Sequence, residues 1–124
     1  MPIALDVNVL PRGQASRTRK LYNAFFDTWL EKDPERRRIS LNLADDYRSL
    51  PVFDEWDITA KFEMLYGEGK LDERGAERWA ALTQLTDQLH SADMVVITAP
   101  MWNFSIPWHL KRWIDCVVQG RLTF

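Results

Sequence analysis

The chain has 124 residues, 46% of them hydrophobic and 27% charged, with sixteen Lys and Arg against eighteen Asp and Glu for a formal net charge of −2. This balance describes one globular domain over residues 1–124; it excludes a disordered chain and gives no global attraction to nucleic acid or to an acidic membrane surface. The single cysteine, Cys116, excludes an intramolecular disulfide framework. With no signal-like segment and no apolar run near the roughly 20 residues of a membrane span, a soluble protein of the reducing cytoplasm is expected.

From Pro2 to Leu10 the sequence alternates, with Ile3, Leu5, Val7 and Val9 on one face and Ala4, Asp6, Asn8 and Leu10 on the other, the period of a β-strand. Asp6 and Asn8 must be paired or lie near the sheet's solvated end, because an unpartnered buried polar group costs about 1–3 kcal/mol. Pro11 and Gly13 supply turn chemistry. Ser16 is placed to cap a helix in which Leu21, Ala24, Phe25, Thr28 and Trp29 recur at helical spacing. A second stripe, Tyr22, Phe26 and Leu30, makes the apolar face wider than sheet packing needs, which points to contact with another chain.

Lys32-Asp33-Pro34 ends this helix. The basic run Arg36-Arg37-Arg38, read either as solvated surface or as a phosphate contact, leads into Ile39-Ser40-Leu41-Asn42-Leu43, an alternating segment that predicts a half-exposed edge strand. Residues 44–72 are a long connection in which short helices are expected. Its aromatics Tyr47, Phe53, Trp56, Phe62 and Tyr66 either pack on their own domain or cover a flat ligand. Gly67-Glu68-Gly69 lacks the third glycine and the preceding strand of a phosphate fingerprint.

A helix from Asp72 to about His90 carries Ala76, Trp79, Leu82, Leu85, Thr86 and Leu89 on its inner side. Met94-Val95-Val96-Ile97 is continuously apolar, as in a strand covered on both faces in the middle of a parallel sheet. Pro107 opens a last helix with Leu110, Trp113, Ile114, Val117 and Val118 on one stripe. With right-handed crossovers, this order gives an α/β three-layer sandwich whose parallel sheet runs 2-1-3.

In such a sheet, ligands bind beyond the carboxyl ends of the strands, where the loops after strands 1 and 3 emerge side by side. In the first loop Ser16 and Thr18 offer hydroxyls, and the helix start offers free amides and a favourable dipole. That suits a phosphate, although Ser16 also reads as a plain helix cap. In the second, Thr98–Pro107, the residues Met101, Trp102 and Phe104 offer soft and aromatic surface and Asn103 an amide, as a flat heteroaromatic ring requires. The other reading of Trp102 and Phe104 is core at a strand end.

No titrating side chain is assigned to catalysis. His90 is placed to interact with the carboxyl end of its own helix. His109, in the first turn of the last helix, either packs or touches a substrate, and Cys116 sits beside the core stripe without an evident base, which favours packing. No cluster of metal-ligand spacing is present. The acidic strand ends of a phosphorylatable receiver domain are also missing, since strand 3 ends in Thr98-Ala99-Pro100.

Pro100-Met101-Trp102-Asn103-Phe104, Ile106-Pro107, Leu110-Lys111, Trp113-Ile114-Asp115 and Thr123-Phe124 closely resemble, without gaps, the FMN-dependent NADH:quinone oxidoreductase/azoreductase family. Ser16-Arg17-Thr18 falls at that family's Ser-x-Ser phosphate loop. The resemblance covers the whole chain, strongest after Asp93 and weakest over residues 44–72. It implies a flavodoxin-like fold of strand order 2-1-3-4-5, FMN as cofactor and NADH or NADPH as donor. It further implies ping-pong two-electron reduction of a quinone or azo compound by a homodimer with its site at the subunit interface. Carried over residue by residue, Ser16, Arg17 and Thr18 would hold the FMN phosphate, Arg17 mainly through its backbone amide, and Met101, Trp102, Asn103 and Phe104 would line the isoalloxazine.

The sequence departs from the family at Leu10 or Val9, where members often carry a serine, and at Arg121, where a glycine is usual. Members continue past the position of Phe124 into strands 4 and 5 and a glycine-rich loop that completes the flavin site. An amino-terminal fragment is therefore expected, with strand 3 left as an uncovered edge. The alternative function is a cofactor-free fragment acting as a structural or interaction module.

Overall fold

A computed structural model describes residues 2–124. Three parallel strands, β1 (Ile3–Asn8), β2 (Arg37–Asn42) and β3 (Met94–Thr98), form one sheet in the order β2-β1-β3. The crossovers between them run through α1 (Arg17–Glu31) and then through α2 (Leu43–Asp46), α3 (Glu55–Tyr66) and α4 (Glu73–Ser91), and α5 (Trp108–Val117) follows β3. The order and the parallel pairing are those expected from the sequence. The central strand β1 sets both registers, with Asp6 opposite Ser40 on one side and Val96 on the other.

The alternation of β1 divides the molecule. Leu5, Val7 and Val9 are fully buried and pack with Leu82 of α4 and Leu110, Trp113 and Val117 of α5 into one apolar core. Burial of an aliphatic side chain of this size contributes about 1.5–3 kcal/mol, so this face supplies most of the cohesion. The opposite face of β1 is polar. Asp6 has no exposed surface, and its carboxylate accepts from the Tyr22 hydroxyl at 2.6 Å, the Ser40 hydroxyl at 2.9 Å and the Asn8 amide at 3.2 Å, with Arg38 Nε at 3.7 Å. These are the partners that Asp6 and Asn8 required. Burial, reinforced by the Asp6 carboxylate, raises the Tyr22 hydroxyl above its ordinary pKa.

This polar cluster reverses the expected faces of α1. Tyr22 and Phe26 face the sheet, Phe26 being 1% exposed, whereas Leu21 is 74% and Phe25 42% exposed. Tyr22 turns inward because its hydroxyl has a buried carboxylate to meet, which hydrophobic periodicity alone does not register. Two arginines of the basic run also meet α1, and β2 begins at Arg37 rather than Ile39. Arg38 lies over the Phe26 ring at 4.9 Å, and Arg36 donates to the Trp29 carbonyl at 2.8 Å while covering its ring. Arg36 is partly buried in this contact, whereas Arg37 and Arg38 stay exposed as the solvated reading expects.

β3, apolar from Met94 to Ile97, is the uncovered edge that the 2-1-3 order leaves, with Val95 38% and Ile97 51% exposed. The connection over residues 44–72 is more regular than expected, since α3 alone spans twelve residues. It packs on α4, and Arg78 of α4 holds both Asp54 at 3.1 Å and Asp57 at 3.2 Å. His90 does not cap its own helix; its Nε2 meets the Leu122 carbonyl at 2.7 Å and fastens the terminal turn. In that turn Arg121 takes the left-handed φ of 66° that favours glycine, with its guanidinium over the Tyr66 ring and bonded to the Leu65 carbonyl.

Candidate functional site

The bond from the Val9 amide to the Thr98 carbonyl, 2.8 Å, extends the β1–β3 pairing one step past β1 and delivers the two following loops to the same sheet edge. Leu10 and Val9, where a serine was looked for, are buried and offer no hydroxyl there.

The first loop is a compact turn. Gly13, at φ 55°, admits a single 3₁₀ turn closed by bonds from Gly13 N to the Leu10 carbonyl and from Ala15 N to the Arg12 carbonyl, both 3.1 Å. Arg19 reaches back with Nε to the Gly13 carbonyl at 2.9 Å, so its charge clamps the turn from behind. Ser16 is extended at φ −72°, ψ 127°, and its Oγ accepts the Arg19 amide at 3.2 Å. This is a true N-cap, yet the hydroxyl keeps its own proton to donate. The amides of Arg17 and Thr18, in the first turn, have no intrahelical acceptor and carry the positive end of the α1 dipole. Cap and anion site are therefore the same structure.

The second loop is a two-residue hairpin. Trp102 and Ser105 exchange backbone bonds, each 2.9 Å, across Asn103 at φ 49° and Phe104 at φ 62°. Two successive left-handed residues define the type I′ turn, for which Asn-Gly is the favoured pair. Asn103 tolerates that conformation, but Phe104 carries about 1–2 kcal/mol of strain in it. All of Met101–Ile106 is exposed, with Met101 at 73% and Phe104 at 97%, so nothing within the loop offsets this. Met101, Trp102, Asn103 and Phe104 accordingly stand at the surface of the sheet edge, and the core reading of Trp102 and Phe104 does not hold.

Rings at the head of α5, a few residues on, and one ring from the long connection support this turn. Trp102 meets His109 edge to face at 5.6 Å. His109 stacks on Trp108 at 3.7 Å, and Tyr47, in the short 3₁₀ turn Tyr47–Ser49 after α2, contacts both rings at 5.1 and 5.5 Å. Burial holds His109 below its ordinary pKa, so the neutral imidazole is favoured. Cys116 is fully buried, and its thiol is pushed up to about 12 by burial, opposed by Arg112, which confirms a packing role.

Beside the turn lies a groove of about 740 Å³ walled by Val52 and Phe53 on one side, Trp102, Asn103 and Ile106 on the other, and Trp108 and Lys111 below. Its outer wall is pinned from two directions. Asp57 accepts both the Val52 and Phe53 amides, at 3.2 and 2.9 Å, and Arg112 donates to the Pro51 carbonyl at 3.1 Å and the Leu50 carbonyl at 2.5 Å. Tyr47 and Phe53 are among the aromatics of the long connection offered above for packing or for covering a ligand, whereas nothing in the sequence marks Val52 or Trp108. A local signal for that wall is Asp54 at the N-cap of α3 with Asp57 in its first turn, a capping pattern whose second carboxylate is spent on the preceding loop.

A family described by its flavodoxin-like fold matches residues 4–124. The chain belongs to this flavodoxin-like family. Among its relatives, the FMN-dependent NADH:quinone oxidoreductase of Desulfotalea psychrophila is 34% identical over 120 residues, 97% of this chain and 55% of that protein. The enzyme of the same name from Ruegeria pomeroyi is 36% identical over 121 residues, 97% of this chain and 57% of its own length. Among solved flavodoxin-like structures, an FMN-dependent NADH-azoreductase from Bacillus anthracis str. Ames Ancestor in complex with FMN superposes with a TM-score of 0.87 at 25% identity, covering 99% of this chain and 58% of that one. The chain thus spans a little over half the length of the curated relatives it matches. Among the described residues no group of three or more His, Cys, Asp or Glu is arranged to hold a metal, and no helix is long and apolar enough to cross a membrane.

Proposed function

We propose that the chain belongs to an FMN-dependent NAD(P)H:quinone oxidoreductase with azoreductase activity, and that its two sheet-edge loops are the phosphate wall and the ring wall of the flavin site. The observation that carries this reading is their pairing at one edge: a capped helix start with free amides beside an exposed type I′ turn of aromatic and amide residues. Homology to enzymes of that name supports it. The residues fit the cofactor. The Ser16 hydroxyl, the Arg17 and Thr18 amides and the Thr18 hydroxyl would hold its phosphate. Met101, Trp102 and Phe104 would exclude water from the ring, and the Asn103 and Phe104 amides, turned out by their left-handed φ, would donate to its polar edge.

FMN, when bound, supplies the chemistry, taking a hydride from NADH or NADPH and passing two electrons to a quinone or azo acceptor in ping-pong order. The chain contributes orientation and fixed dipoles and no catalytic acid or base. We assign it to the cytoplasm and to a homodimer, in which the exposed Leu21 and Phe25 of α1, rather than the Tyr22–Phe26 stripe, are the apolar residues free for a partner. Purification with added FMN tests the whole reading. A yellow protein that NADH bleaches and a quinone recolours is expected; a colourless protein that ignores FMN would make the cofactor-free module the correct description.

A further inference from the structure

We infer that His109 is a positioning residue of the flavin site, seating Trp102 and through it the strained Trp102–Ser105 turn. The inference rests on the flavin reading for its functional consequence but on geometry for its substance. The turn is exposed along its whole length and keeps Phe104 in a conformation that its unpacked side chain does nothing to favour. Two backbone bonds close the turn, but they fix its internal shape and not its position on the domain. Position comes from the Trp102 ring, which rests on His109, itself 7% exposed at the head of the rigid α5. His109 is held in turn by Trp108 on its face and Tyr47 at its edge. The chain of contacts therefore runs from the sheet's α2 side to the ring wall through one imidazole.

The imidazole serves here as a flat ring. Its Nδ1 is buried without a hydrogen-bond partner, so no polar contact of that atom would be lost if a carbocyclic ring took its place. That nitrogen therefore contributes no hydrogen bond to the bracket, which makes His109→Phe the informative substitution. Phenylalanine keeps the stack on Trp108 and the seat for Trp102; His109→Ala removes both.

The test is amide hydrogen exchange of the free chain at Trp102 and Ser105, whose amides each donate to the other's carbonyl, followed by titration with FMN. In His109→Ala, exchange at these two amides should rise about tenfold while β1 amides stay unchanged, and in His109→Phe it should return to within about threefold of the parent. FMN affinity should follow the same order. Trp102→Leu, which removes the ring from an exposed position and leaves the core intact, should loosen Ser105 to the same degree and serves if His109→Ala does not fold. Unchanged exchange at Ser105 in Trp102→Leu, or a His109→Phe chain as loose as His109→Ala, overturns the inference. The exchange result stands without any cofactor, so a chain whose turn responds as expected but which never binds FMN defeats the flavin reading alone.

Discussion

At the start of α1 the chain holds itself: Ser16 caps Arg19, Arg19 clamps Gly13, and Gly13 closes on Leu10, all within ten residues. At the Trp102–Ser105 turn the nearest support, His109 seven residues after Trp102, is itself held by Tyr47 some sixty residues earlier, and the turn is strained. An anion site can be built locally because the free amides and the dipole come with any helix start. A ring wall must present flat apolar surface to a ligand, so its side chains cannot also be buried to secure it. Its stability has to be imported, and an aromatic bracket is the means used here.

The comparison is tested most severely beneath the first wall. α1 is joined to the sheet through Tyr22 and the buried Asp6, so its local closure is only as steady as that anchor. Asp6→Ala takes the acceptor from the buried Asn8 amide and the half-buried Tyr22 hydroxyl, and from the more exposed Ser40 and Arg38 as well. A loss of about 3 kcal/mol is expected, seen as a fall in Tm of roughly 10 °C. A thermal scan showing a shift below 2 °C, within the scatter of surface substitutions, would mean that the capped turn stands without its anchor.

The same contrast explains what could be read from sequence. The strand alternation and the cap at Ser16 depend on neighbours in the chain and were legible, whereas Trp102 and Phe104 read equally as wall or as core until the turn's exposure decided it. The faces of α1 were not legible, because the choice between Phe25 and Phe26 as the buried ring is made by Asp6, sixteen residues before Tyr22. The contacts of Arg36 and Arg38 were hidden for the same reason, each guanidinium lying on a ring of α1. The outer groove wall was least legible. Val52 and Phe53 are placed by Asp57 from one side and by Arg112, some sixty residues on, from the other, and no periodicity announces such a clamp.

A smaller and opposite pair of effects separates the two walls directly. Ser16→Ala removes a cap and should cost about 1 kcal/mol, with weaker FMN binding in step. Phe104→Gly creates the Asn-Gly pair that a type I′ turn favours. Relief of about 1–2 kcal/mol of left-handed strain outweighs the roughly 0.4–1 kcal/mol that glycine adds to unfolded-state entropy. The variant should therefore be slightly more stable while binding FMN less well, having lost a ring from the wall. Chemical denaturation and flavin titration of both variants check this. A Phe104→Gly chain that is less stable than the parent would mean that the exposed ring already has a partner.

The smallest effect at neutral pH concerns the support under the second wall. Cys116 lies in the core beneath α5, its Sγ 3.9 Å from the Pro51 carbonyl of the clamped loop, with its thiol pushed up to about 12. An unfolded thiol ionises near 8.5. Between those values the folded chain holds a proton that the unfolded chain has lost, so ν_N exceeds ν_U and stability must fall as pH rises. The thiol contributes no change below about pH 8; above it, urea midpoints should decline steadily. Tyr22, also raised, adds a loss of the same sign from about pH 10, so the comparison is made with Cys116→Ala. That variant is less stable at pH 7 because of the cavity, but it should show a flatter profile from pH 8 to 10. Parallel profiles for the two chains would place the thiol in contact with water, and the bracket that depends on α5 would then rest on a looser base than its packing indicates.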